Sequence, residues 1–134
     1  MKLFIMVASC SLIISSCTSP QPQSCKDFKN GTFTSFSEAV GMNLHITRKD
    51  DIQVERFEGT TDSLKLKVQW LNPCRYELTL LSTTFPNKEM VGKKIITDII
   101  KTTANYYIFK ATMSGIATFQ DTMFKFRSRP QIVK

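Results

Sequence analysis

Histidine occurs once in this 134-residue chain, at position 45. A Ser-His-Asp or Cys-His relay would have to use that residue, yet His45 alternates with Leu44 and Ile46 and so faces water, while Cys74 shares the apolar phase of Tyr76. Zinc lacks its ligands, because Cys25, Cys74 and His45 are scattered and no CxxC occurs. Neither GxGxxG nor GxxxxGK(S/T) is present, which removes the phosphate-cradling turns of the common nucleotide folds. Carboxylates suited to acid-base work stand at Asp50, Asp51, Glu55, Glu58 and Asp62, but in turns or on polar strand faces, where they are solvated. No catalytic residue, metal ligand or cofactor is expected.

A long hydrophobic run is missing too. The longest, from Leu3 to Ile14, is about a dozen residues, short of the ~20 that span a bilayer. With Lys2 before it and Ser15-Ser16 after it, residues 1–16 read as a secretory signal. The sequence Ile14-Ser15-Ser16-Cys17 resembles the lipobox of bacterial lipoproteins, an aliphatic residue, two small residues and the cysteine that is acylated before cleavage. That resemblance makes Cys17 the first residue of the mature chain and its lipid-bearing site, with the membrane as a partner through stable acyl anchorage. Val7-Ala8-Ser9-Cys10 fits more loosely and leaves too short an apolar region, so Cys10 is expected to be discarded.

Residues 17–24 then form the lipidated cysteine and a tether. Pro20 and Pro22 favour extended polyproline geometry, enough to hold a domain roughly 20 Å from the lipid. Thr18 replaces the aspartate that, in enterobacterial lipoproteins, retains the protein at the inner membrane, and no acidic cluster follows. The resemblance therefore implies an outer-membrane anchor on the periplasmic face rather than the cell surface. In that oxidising space the two cysteines left after the lipid-bearing one, Cys25 and Cys74, make an unambiguous disulfide pair.

Losing Lys2 with the leader reduces 18 basic residues to 17 against 11 acidic ones, a formal charge of +6 on the mature chain. Such a surplus draws a protein toward anionic surfaces, but the lysines and arginines are dispersed, as on solvated strand faces. Nucleic acid is not an expected partner. Phe33, Trp70, Tyr76, Tyr107 and Phe109 fall on apolar phases and read as core rather than as base-stacking platforms.

What the chain does have is period two. Leu64, Leu66, Val68 and Trp70 alternate with Lys65, Lys67 and Gln69; Asn72-Pro73 turns the chain; Tyr76, Leu78 and Leu80 alternate with Glu77 and Thr79. A second hairpin joins Leu44 and Ile46 to Ile52 and Val54 across the charged run at 48–51, with Gln53 and Glu55 on its polar face. Asn30-Gly31, between Phe28 and Phe33, is a dipeptide that accommodates the positive φ angles of a type I′ turn, and it marks the entry into the first strand. Ile95, Ile96, Ile99 and Ile100 would suit a helix, yet β-branched residues dominate 93–104, and a strand is expected there. Strands over 105–113 and 117–127, about Ser114-Gly115, complete the series.

The expected fold is a single all-β domain over residues 25–134, an antiparallel meander of about eight strands curling into a lipocalin-like barrel or a strongly curved sheet. Gly31-Thr32-Phe33 and Arg127 resemble the lipocalin pairing of a Gly-x-Trp motif with a closing arginine, with phenylalanine in place of the tryptophan. The segments CKDFKNGTF and WLNPCRYELT resemble a family of short Bacteroidota lipoproteins, some of whose members bear the name DNA topoisomerase IV. No room exists here for a DNA gate, and the family implies no activity.

The expected function is non-enzymatic binding by surface contact with an envelope protein or glycan. The alternative is a carrier of a small apolar ligand in the barrel, lined by Leu66, Val68, Trp70, Tyr76, Leu78, Tyr107 and Phe109.

Overall fold

The computed structural model describes residues 24–114 and 116–126. The leader, Cys17, residues 18–23 of the tether, Gly115 and residues 127–134, with Arg127, lie outside the described residues. A short 3₁₀ turn, Cys25–Phe28, precedes eight strands: β1 Gly31–Ser37, β2 Met42–Lys49, β3 Ile52–Phe57, β4 Ser63–Asn72, β5 Arg75–Thr83, β6 Lys94–Thr102, β7 Tyr106–Met113 and β8 Ala117–Lys125. Each pairs antiparallel with its neighbour in sequence, and β1 pairs with β8, so the meander closes into a barrel.

Alternation builds the interior. Leu66 and Val68 on β4, Tyr76, Leu78 and Leu80 on β5, and Tyr107, Phe109 and Ala111 on β7 are all buried, whereas Lys65, Lys67 and Gln69 are exposed. Fully burying a side chain of Leu or Phe size contributes roughly 1.5–3 kcal/mol, so this cluster favours closing the sheet. The isoleucine-rich segment is β6, as expected: Ile95 and Ile99 join the core, while an irregularity between Ile99 and Lys101 leaves Ile100 exposed.

Two expectations are corrected. Asn30-Gly31 is not a type I′ hairpin turn, because Phe28 belongs to the 3₁₀ turn and Asp50 is the one described non-glycine residue with positive φ. Gly31 opens β1 at φ 141°, where an added Cβ would stand 3.3 Å from the Phe33 ring. Asn30 instead caps the neighbouring turn, its Oδ1 accepting from the Asp50 N–H at 2.9 Å.

The second correction concerns β3. Opposite residues of an antiparallel pair point to the same side. The two-residue turn at Asp50-Asp51 pairs Lys49 with Ile52, Arg48 with Gln53 and Ile46 with Glu55. Since Ile46 faces inward, Arg48, Gln53 and Glu55 do as well, and Ile52 and Val54 sit half-buried on the outer face. Of the charged run at 48–51 only Asp50 and Asp51 form the turn; Arg48 and Lys49 belong to β2, and Arg48 is 1% exposed.

Candidate functional site

The two ends of the barrel differ. One carries the β2–β3, β4–β5 and β6–β7 turns and is stoppered by the 3₁₀ turn, whose Phe28 is fully buried, with ring centroids 5.0 Å from Tyr107 and 6.4 Å from Phe33. A Cys25–Cys74 disulfide, Cα–Cα 5.2 Å, fastens this stopper to the β4–β5 turn.

Arg48 is the hub of the closed end. Its Nε donates to Gln53 Oε1 at 2.8 Å, Nη1 to the Phe28 carbonyl at 2.9 Å, and Nη2 to the Tyr76 and Tyr107 hydroxyls at 3.2 and 3.1 Å. The two hydroxyls bond each other at 3.0 Å. The guanidinium also lies 4.6 Å from the Tyr76 ring centroid and 5.3 Å from that of Phe33, within cation–π range. Burial alone would lower its affinity for the proton; the two tyrosines outweigh that and hold Arg48 above its ordinary value. Burial likewise pushes the Tyr107 hydroxyl well up, and Tyr76 adds to this.

Toward the other end the barrel is hollow. A cavity of about 410 Å³ extends from Tyr76 and Gln53 to the β1–β2 loop at Glu38, Ala39 and Val40. That volume falls in the range of small-molecule sites. Its wall is mainly apolar, with Leu44, Ile46, Leu78, Phe109 and Met123 among the contributors. A second, apolar cavity of about 370 Å³ adjoins it beneath the β5–β6 loop and shares Leu64, Leu66 and Ile95.

Polar groups on the wall are few and placed by register. Gln53 Nε2 donates to Glu55 Oε1 at 2.6 Å. Burial raises the Glu55 carboxyl above the usual carboxylate value, against the opposing effects of the Gln53 amide and the Arg48 charge. Ser35 on β1 and Thr97 on β6 are buried elsewhere on the wall. At the seam of the barrel β1 and β8 make two pairs, Phe33 with Lys125 and Thr34 with Phe124. Beyond them Ser35 Oγ bridges the strands, donating to Asp121 Oδ2 at 3.3 Å or the Thr122 carbonyl at 3.1 Å.

Of the seven lining residues expected from the sequence, Leu66, Tyr76, Leu78 and Phe109 face the cavity. Val68, Trp70 and Tyr107 do not. They pack at the closed end, Trp70 with its ring 4.7 Å from that of Tyr76 and its buried Nε1 without a hydrogen-bond partner among the described residues. Sequence reasoning missed Ser35, Gln53, Glu55, Thr97 and Asp121 on the wall, and Arg48 below it. His45 is on the outer face as expected, Nε2 3.9 Å from Glu58 Oε1. Asp50 and Asp51 occupy the β2–β3 turn, Glu58 and Asp62 flank the β3–β4 connection, and Glu55 alone of that set is inside.

An eight-stranded up-and-down barrel, stoppered at one end and hollow at the other, has the architecture of barrels that enclose one small ligand. No protein-family model, curated protein or solved structure matches the chain.

Proposed function

We propose that this chain is an outer-membrane lipoprotein, anchored through Cys17 on the periplasmic face, whose barrel carries a small, largely apolar ligand without chemical change to it. The observation that supports carriage is the cavity of about 410 Å³, walled by inward-facing side chains of a barrel that the Arg48 hub and the disulfide hold shut at its other end. A well-packed interior would have left no such space.

Trp70 is a poor reporter, since it belongs to the closed end. The test is titration of the soluble domain with an uncharged solvatochromic naphthalene probe, followed by competition with octan-1-ol. Saturable one-to-one binding reversed by the alcohol is expected. A probe signal that never saturates, in protein with an intact β-sheet circular dichroism spectrum, would sink the carrier. Mass spectrometry of the mature chain from an envelope host is expected to find acyl groups on Cys17.

A second reading, surface contact with an envelope protein or glycan, draws support from an outward aromatic strip. The Tyr106 and Phe124 rings lie 5.6 Å apart, and Phe124 and Phe126 are about half exposed. Replacing both phenylalanines with serine would abolish capture of such a partner and leave probe binding intact.

A further inference from the structure

We infer that the cavity selects an amphiphile whose polar end is a cation, a protonated alkylamine being the simplest case, over one ending in a carboxylate. This rests on the carrier reading and names its ligand class. The protein is basic overall, with a formal charge of +7, yet the charged side chains lining the cavity are Glu38, Glu55 and Asp121, without a lysine or arginine among the described residues. The charged side chains of the cavity wall are therefore opposite in sign to the whole molecule.

Position within the cavity matters more than the count. Glu38 is exposed at the rim and Asp121 lies by the seam, its Oδ2 within reach of Ser35. Glu55 is half-buried on the wall, next to the buried Gln53, whose amide supplies its Oε1 with a hydrogen bond; no hydrogen bond to Oε2 from the described residues accompanies it. A carboxylate enclosed by apolar wall and given one amide donor is undersolvated, which is why burial raises its proton affinity. A ligand ammonium would supply both the missing donor and the missing charge.

Arg48, the one buried cation near this wall, is not open to a ligand carboxylate. Its Nε and both terminal nitrogens already donate to Gln53, the Phe28 carbonyl, Tyr76 and Tyr107, and it is not part of the cavity lining. A carboxylate ligand would meet Glu55 and Asp121 with no lysine or arginine on the cavity wall to pair with it, since Arg48 lies behind Gln53 and acts on Glu55 only from that distance. The hydrocarbon end has its own place: the adjoining cavity, lined by Leu80, Phe85, Met90 and Met113 with the exposed Lys93 as its charged residue, shares Leu64, Leu66 and Ile95 with the first.

The experiment displaces the uncharged naphthalene probe with octylammonium, octan-1-ol and octanoate, matched in chain length, near neutral pH, where an alkylamine is charged. Octylammonium is expected to bind at least tenfold more tightly than octanoate, with the alcohol between them. In Glu55→Gln the advantage of ammonium over alcohol should shrink several-fold, and Asp121→Asn repeats the comparison should the first variant fold poorly. If the alcohol displaces the probe while octanoate equals or exceeds octylammonium, the charge selectivity is overturned and the carrier survives. If none of the three displaces it, carrier and selectivity fall together.

Discussion

Arg48 Nε and Gln53 Oε1 meet at 2.8 Å across the inner face of the β2–β3 hairpin, and through that contact the stopper of the barrel is wired to the wall of its cavity. Gln53 bonds Arg48 with its oxygen and Glu55 with its nitrogen, so one amide separates a buried cation from a half-buried carboxyl. Closed-end rigidity and cavity polarity come from the same strand pair.

Arg48→Met removes that hub. It strands the Tyr76 and Tyr107 hydroxyls, the Phe28 carbonyl and Gln53 Oε1, all in or beside the core, at about 1–3 kcal/mol for each group that finds no new partner. Partial rebonding, such as between the tyrosines, leaves an expected loss of about 4 kcal/mol. For a domain of this size that lowers the melting temperature by roughly 15–30 °C. Arg48→Lys should lose nearly as much, because an ammonium cannot reproduce the planar fork. Thermal unfolding followed by circular dichroism checks both; a melting point within a few degrees of the parent would mean that the network is incidental.

The strands were legible because alternation is a local signal that a half-buried sheet enforces on its residues. Leu64 to Trp70 and Tyr76 to Leu80 show it cleanly, and β-branching separated strand from helix at Ile95 to Ile100. The apolar wall was legible in part, at Leu66, Tyr76, Leu78 and Phe109, but its polar groups on β3 were not, because apolar alternation points the wrong way there. Ile52 and Val54 look like core, and only pairing to β2 turns them out.

Parity carried the missing signal. Whether the loop after Ile46 has two residues or four, an even count pairs that inward residue with an odd-numbered one on β3, and Gln53 or Glu55 must follow it inside. Extending the phase of Leu44 and Ile46 by one step would also have placed Arg48 indoors. Nothing in the chain's periodicity shows that the interior is unfilled, since that depends on how eight strands' side chains sum across the barrel.

The disulfide makes a second prediction. Cys25 and Cys74 are 49 residues apart, and closing a loop of that length stabilises by about 4 kcal/mol in the chain-entropy account. On the usual scale of about 4–8 °C per kcal/mol, reduction should lower the melting temperature by at least 15 °C. Beyond stability, release of Cys25 frees the segment bearing Phe28, whose carbonyl accepts from Arg48. Hydrogen exchange on reduction is expected to rise first at the amides around residues 25–28 and 48–53.

Glu55 gives a pH dependence with a definite sign. Its carboxyl is raised above the ordinary 4.5 by burial, so the folded state binds that proton more tightly than the unfolded chain does. Its contribution is fully present below 4.5 and is lost as pH rises through the raised value. Glu55→Gln has no such loss. The melting temperature of the parent minus that of the variant should therefore fall as pH rises above about 4.5, while groups common to both proteins largely cancel. A difference independent of pH would show that Glu55 is solvated rather than enclosed.

The cavity itself can be filled. Ala111 faces inward from β7, is 2% exposed and lies on the wall beside Phe119, its partner on β8. Ala111→Phe directs a ring into space that is already open, so it should escape the usual overpacking loss of about 1–3 kcal/mol and instead bury apolar area. Val68→Phe is the matched control, since Val68 is 3% exposed but sits at the packed end, off the cavity wall. The Ala111 variant is expected to melt no lower than the parent and to bind the uncharged probe at least tenfold more weakly, whereas the Val68 variant loses stability and keeps its probe affinity. Equal destabilisation of the two would mean that the barrel is as tightly packed at Ala111 as it is beside Arg48, leaving no room for a ligand.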